Sequence, residues 1–384
     1  MKKVVFLLLL AACAQAQTPF IQELAFGKYP VGFQTFFEYD DARPAVQEQK
    51  VKNKGRLLQI NVWYPSIAVG LPKAMSEKKE KQTLAFKDYV HLVGKELDAD
   101  NPNYKQDGIS KYFAWPISAG TSQSDVDAFL NQNTLLRAVR GSSIAKDSFP
   151  LVMLVHGFAV DYAFLGEYLA SMGFIAVHVP VKGTTTYELD YGLEDKGLET
   201  QVLDYEYALK VVAQNFKQAK TAETGVVAFS FGGQSALGMA IRNSNIKAVV
   251  SLDGGIGSDF GGILLSKQAF YDVNKIKAPI LHLYNPNDPY TDLKWLNAYK
   301  SSKRTLVALK SVAHGHFTSF GLLDNQIRYV IGKNEPRPGK AYEAIMLYTQ
   351  TFLDKHLKHK PNDLATLRHK KWVADCIQSF KELS

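Results

Sequence analysis

From Pro150 onward the chain alternates short, almost wholly apolar runs with longer stretches that carry apolar residues at helical spacing, and this rhythm limits the fold more than any other feature. The pattern predicts strands at Leu151–Val155, Ile175–Val179, Gly225–Phe229, Ala248–Leu252, Ile280–Tyr284 and Thr305–Leu309. Between and after them it predicts helices at Tyr162–Met172, Glu199–Phe216, Gly232–Arg242, Leu293–Tyr299 and Ala341–His356. A strand with no polar face must be covered on both sides, which implies a mostly parallel sheet between two layers of helices. Such sheets bind ligands at the carboxyl ends of their strands, so the loops that follow the strands are the ones to search for chemistry. An earlier strand, Leu57–Pro65, stops at its proline. The stretch from about 72 to 148 is polar and helical in pattern, with amphipathic pieces at Leu84–Leu97 and Val126–Val139 and no strand expected between them. It reads as an insertion, either a cap over one side of a site or a surface excursion without a role. Residues from about 360 to 384 read as a basic tail.

The first residues, Met1-Lys2-Lys3 followed by the apolar run Val4–Ala12 and then small residues, form an export signal that is too short to span a bilayer. Two cleavage readings are open. Ala14-Gln15-Ala16 fits a signal-peptidase site and starts the mature chain at Gln17; Leu10-Ala11-Ala12-Cys13 fits a lipobox and leaves a lipidated Cys13. The domain division taken here is a signal at 1–16 and a single domain over 17–384, exported to the periplasm or secreted, with a lipoprotein anchored through Cys13 as the alternative. The chain of 384 residues has only two cysteines, so once Cys13 is removed or lipidated Cys376 has no disulfide partner. The formal charge of +8 is spread along the chain, with a solvated run at Lys78-Lys79-Glu80-Lys81, and does not form a nucleic-acid footprint. No later segment is long and apolar enough to cross a membrane, and no Cys/His cluster has zinc spacing. His314 and His316 alone could suggest two metal ligands, but the residues near them do not complete a site.

One loop stands out. Val226-Val227-Ala228-Phe229-Ser230-Phe231-Gly232-Gly233 is an apolar run that ends in a serine and two glycines, the pattern of a sharp strand-to-helix turn that holds a hydroxyl outward. Small residues are needed around such a serine because strand and helix backbones pass close together. Ala228 stands where glycine is usual. An ordinary turn with a surface serine would need no more than this, so the other strand ends decide. A serine nucleophile requires a base, a group that orients the base, and donors for the oxyanion. In this chain order the base should follow the last strand, where Ser311-Val312-Ala313-His314-Gly315-His316-Phe317 lies. His314 is the candidate, with Phe317 and Phe320 to anchor its loop, and His316 the lesser one. His282 falls inside a buried strand and reads as core. Two carboxylates could orient the histidine: Asp253 in Leu252-Asp253-Gly254-Gly255, and Asp288 in Asn285-Pro286-Asn287-Asp288. Each also has a bland reading as a turn residue, and the residues alone do not choose. For the oxyanion the candidate donors are the N–H groups of Phe231, just after the serine, and of Phe158 in Val155-His156-Gly157-Phe158; His156 is expected to brace that loop.

Taken together these motifs resemble the platelet-activating-factor acetylhydrolase branch of the α/β-hydrolases, the lipoprotein-associated phospholipase type, which neighbours the dienelactone hydrolases. The resemblance runs from about Gly27 to His356 outside the insertion and includes Pro30-Val31-Gly32-Phe33 and Trp63-Tyr64-Pro65-Ser66. It implies an α/β-hydrolase fold with a helical insertion before the oxyanion-loop strand. It assigns Ser230, Asp253 and His314 as a triad and moves Asp288 to the alternative acid. It also implies hydrolysis of carboxylic esters with short acyl chains, on small-molecule or lipid substrates, with no cofactor and no metal. A lactonase, a polyester hydrolase, a carbohydrate acetylesterase or a peptidase would use the same machinery. A non-catalytic binding module on this scaffold would be expected to have lost the serine or the histidine, and neither is lost.

Overall fold

The computed structural model describes residues 20–45, 54–67, 82–183 and 195–384. The expected export signal, Cys13 and the Lys78–Lys81 run lie outside them. In chain order the elements are β1 (Val31–Asp40), β2 (Arg56–Pro65), β3 (Thr83–Ala85), α1 (Phe86–Leu97), α2 (Tyr104–Tyr112), α3 (Ala114–Ala119), α4 (Gln123–Asn131), β4 (Leu135–Arg140), β5 (Phe149–Val155), α5 (Ala163–Ser171), β6 (Ile175–His178) and α6 (Asp195–Asn215). They continue with β7 (Ala219–Phe229), α7 (Gly232–Arg242), β8 (Ile246–Leu252), α8 (Ile263–Ser266), β9 (Ile280–Tyr284), α9 (Lys294–Ala298), β10 (Arg304–Leu309), α10 (Phe320–Leu323), α11 (Ala341–Leu357), α12 (Lys371–Cys376) and β11 (Ile377–Leu383).

All the strands join one sheet, in the order β11-β10-β9-β8-β7-β5-β6-β2-β1-β4-β3. The centre, from β6 to β10, is parallel. Its registers bring the strand ends level: Val155 pairs with Ala228, Phe229 with Leu252, and Leu252 with Leu283. The residues that follow these strands therefore emerge along one edge.

Side chains of each central strand alternate between two apolar layers. Val152, Leu154, Val227 and Val250 pack with α5 and α11, whereas Leu151, Met153, Val155, Val226 and Val249 pack with α6 and α7. This two-sided burial is the physical reason the runs carry so few polar residues.

Three expectations need revision. Val126–Val139 is not one helix: α4 ends at Asn131, Asn133 takes a left-handed conformation with φ 50°, and Leu135–Arg140 is strand β4, parallel to β1. The insertion is thus tied into the sheet through β3 and β4. It is not a surface excursion, because α1 buries Phe86, Tyr89, Val90 and Val93 in the main core. Phe86 stacks on Phe164 of α5, and the Trp63 indole N–H donates to the Tyr89 hydroxyl at 2.9 Å. The third revision concerns the basic tail, which is not a tail. β11 pairs antiparallel with β10 and closes that edge of the sheet, and the Arg304 guanidinium donates to the Ser384 carbonyl at 2.8 Å. Cys376, just before β11, is a buried free thiol.

β10 is buried along its whole length. Deleting 377–384 should therefore expose an apolar strand edge, lower the thermal midpoint by on the order of 5 °C or more and promote self-association. Thermal unfolding with light scattering measures both; an unchanged midpoint and a monodisperse sample would contradict this role for β11.

Candidate active site

Ser230 follows β7 directly and sits at φ 53°, a left-handed conformation that is uncommon for a residue with a side chain. The turn is held from both sides. The Ser230 N–H donates to the Leu252 carbonyl at 3.2 Å, and the Ser230 carbonyl accepts from Gly255 at 2.6 Å and Gly233 at 3.0 Å. The glycine after the turn is required by space, since a Cβ on Gly232 would lie 2.7 Å from the His156 Cβ and 2.9 Å from the Val155 carbonyl oxygen. Ala228, by contrast, is accommodated inside β7, fully buried between Val155 and Ser251 of the neighbouring strands.

His314 opens a short 3-10 turn, His314–Phe317, that follows β10. Its Nε2 is 2.9 Å from the Ser230 Oγ and its Nδ1 is 2.7 Å from the Asp253 Oδ2. A carboxylate at Nδ1 can only accept, so Nδ1 carries the proton and Nε2 is left as the acceptor for the serine hydroxyl. The Phe229 ring lies against the imidazole, with centroids 4.6 Å apart, and fixes its plane. Asp253 follows β8 at φ 45°; its other oxygen, Oδ1, accepts from the Asn285 N–H at 2.9 Å. Asp253 is well buried while the histidine is partly open to solvent.

Asp288 reaches the same pocket but not the histidine: its Oδ1 accepts from the Tyr290 N–H at 2.9 Å, closing the turn after β9. His316 is fully buried and turned away, its Nδ1 accepting from the Ala313 N–H and its Nε2 facing Asp324 at 3.5 Å. His282 lies buried in β9, with Nδ1 2.9 Å from the Ser251 Oγ.

The loop after β5 differs from expectation in one respect. The Phe158 N–H, a candidate oxyanion donor, donates to the Asp161 Oδ2 at 2.8 Å. The aspartate three residues on caps the start of a 3-10 turn, Ala159–Tyr162, and so reaches back to that N–H. Phe231 sits at the start of α7, where the first N–H groups have no partner within the helix. His156 stands at the base of the loop, at φ 75° and buried, with its ring near that of Phe231.

The pocket in front of Ser230 has a volume of about 430 Å³ and is walled by Gly254, Gly255 and Gly257, with Phe260 and Tyr290 exposed at its rim. Trp115 of α3 is exposed near Gly315, next to the histidine. Among the described residues, no cluster of three or more His, Cys, Asp or Glu side chains could hold a metal ion, and no helix is long and apolar enough to cross a membrane.

Comparison with known proteins agrees with this architecture. Residues 182–309 match the model of the dienelactone hydrolase family, a segment that contains Ser230, Asp253 and Asp288 and ends before His314. No curated protein matches the chain. The structure is similar to that of a ferulic acid esterase from Streptomyces cinnamoneus, with a TM-score of 0.59 and 19% identity over 92% of this chain and 97% of the other. The chain has the α/β-hydrolase fold. Neither comparison points to the platelet-activating-factor acetylhydrolase branch in particular.

In this α/β-hydrolase fold, burial favours the neutral form of several carboxyl groups. It pushes Glu96 up to about 8, Asp161 to about 7 and Glu167 to about 7. It pushes His156 and His356 down to about 4, and His178 and His282 to about 3. The raised Glu96 pKa contributes stability that is fully present below about pH 4.5 and is lost as pH rises through about 8. Burial lowers Lys182 and Lys358 to about 8, which opposes this trend at the alkaline end, so the test is a difference. Between about pH 5 and 8 the urea midpoint of wild type should fall relative to that of Glu96→Gln; parallel midpoints would contradict the raised carboxyl.

Proposed function

We propose that the protein is an exported serine esterase that hydrolyses carboxylic esters through an acyl-enzyme. The observation that carries this reading is the unbroken chain Ser230 Oγ, His314 Nε2, His314 Nδ1, Asp253 Oδ2, with links of 2.9 and 2.7 Å. The fold and the dienelactone hydrolase match support it, and export rests on the pattern of residues 1–16.

In this reading His314 takes the proton from Ser230 as the serine oxygen bonds to the ester carbonyl carbon. Asp253 stabilises the imidazolium that forms and keeps the ring in the productive tautomer. The negative charge on the former carbonyl oxygen is met by the Phe231 N–H, and by the Phe158 N–H once this shares its bond with Asp161. Such a donor is worth about 3 kcal/mol of barrier. Collapse of the tetrahedral intermediate breaks the ester C–O bond, and His314 gives its proton to the departing alcohol. Water, deprotonated by the same histidine, then attacks the acyl carbon and releases the acid, restoring Ser230. No step requires a metal or cofactor. The glycine-walled pocket suits a short acyl group, in line with the sequence resemblance to the platelet-activating-factor acetylhydrolases. The aromatic rim of Phe260 and Tyr290 favours an apolar or aryl group on the remaining part of the ester. That second feature keeps an aromatic ester substrate as a reading beside the short-chain lipid one.

Hydrolysis of p-nitrophenyl acetate, butyrate and octanoate tests the reaction. Wild type should turn over, with the short chains preferred, and Ser230→Ala should lose at least about 10³-fold in kcat while staying folded. Retained turnover in that variant would remove the serine mechanism. For the acid, Asp253→Asn should cost on the order of 10³–10⁴ in kcat by leaving the histidine in the wrong tautomer. Asp288→Asn should stay within about threefold, since that carboxylate bonds only its own turn. The reverse ranking would overturn the assignment of the acid.

A further inference from the structure

The loop that carries Phe158 is held residue by residue, by its own Asp161 and by groups from outside it. The Gly157 carbonyl accepts from His178 Nε2 at the end of β6, at 3.2 Å. The Phe158 N–H is bound by Asp161, and the Ala159 N–H donates to the Glu96 Oε1 of α1 at 3.1 Å. The Val160 and Asp161 carbonyls both accept from the Ser319 hydroxyl, at 2.6 and 3.0 Å. Glu96 is the unexpected member, because it comes from the insertion. It is 1% exposed, and Oε1 also accepts from the Asn61 side-chain amide at 3.0 Å. His178 Nδ1, which has no hydrogen-bond partner among the described residues, faces the same oxygen at 3.9 Å. Lys182 and Asp161 are the other charged groups that act on Glu96, and they act in opposite directions.

A carboxyl so deeply buried is costly unless its partners compensate, and its partners here are β2 and the loop beside the nucleophile. Packing alone does not require a glutamate in this place: α1 already buries Phe86, Tyr89, Val90 and Val93 against the core. We infer that Glu96 is a positioning residue for the loop Gly157–Asp161: its buried carboxyl grips the Ala159 N–H and holds the Phe158 N–H in register with Ser230. This gives the insertion a role as a brace beneath the site. The kinetic consequence rests on the esterase reading, whereas the clamp on the backbone does not.

Three variants separate this from general packing. Glu96→Gln keeps an acceptor oxygen and should remain within about threefold of wild type in kcat. Glu96→Ala removes the acceptor and should lose about tenfold to a hundredfold in kcat with KM within twofold, the pattern of a transition-state donor set out of place. Val93→Ala weakens the same helix without touching the loop and should keep kcat even where its thermal midpoint falls as far as that of Glu96→Ala. Hydrogen exchange should show the Ala159 amide at least about tenfold less protected in Glu96→Ala but not in Val93→Ala. Unchanged kcat in Glu96→Ala, an equal kcat loss in Val93→Ala, or unchanged Ala159 protection would overturn the inference. Should wild type hydrolyse no ester at all, the esterase reading falls, and the Ala159 exchange comparison alone then decides the clamp.

Discussion

The hydrogen bond between Asp253 and His314, at 2.7 Å, is the contact on which the site's chemistry turns. It fixes which imidazole nitrogen is bare, and so whether Ser230 faces an acceptor or another donor. The contact joins loops that follow β8 and β10, strands separated in the sheet by β9. It can form only if the strands end level, and the pairings of Phe229 with Leu252 and of Leu252 with Leu283 make them do so. Strand register, turn conformation and tautomer are thus successive links of one cause. The left-handed conformations at Ser230 and Asp253 are the local strain this arrangement carries, and the hydrogen bonds of Gly255, Gly233 and Asn285 to these two residues hold it in place.

Much of this was legible in the sequence because the features are local or periodic. Almost wholly apolar strands reveal two-sided burial without any tertiary information, and the Ser230 turn declares itself through glycines, of which Gly232 is required by space. What escaped was decided by distant partners. Residues 126–139 fit helical spacing, yet Asn133 breaks the run and pairing with β1 draws Leu135–Arg140 into a strand. β11 carries Lys381 and Glu382 and is mostly exposed, so its pattern resembles a solvated tail, and only the buried edge of β10 beside it makes it a strand. The choice between Asp253 and Asp288 was open on residue chemistry alone, since both end strands at the same edge and the difference lies in which carboxylate the histidine loop reaches. Asp161 taking the Phe158 N–H was readable in principle, since an aspartate three residues into a turn commonly caps it.

Glu96 shows the same limit from another side. In sequence it is a glutamate on an amphipathic helix, indistinguishable from a surface residue. In the fold it is buried beneath the loop beside the nucleophile, together with His178 and Asp161. Burial favours the neutral form of both carboxyls, and each serves the backbone of the loop as a hydrogen-bond acceptor.

The central claim is that Ser230 is an activated nucleophile. Reaction with a fluorophosphonate, followed by peptide mapping, tests it without assuming any substrate. The account predicts one adduct per chain, on Ser230, formed far more slowly in His314→Ala. A folded protein that takes up no probe, or carries it on another residue, would contradict it.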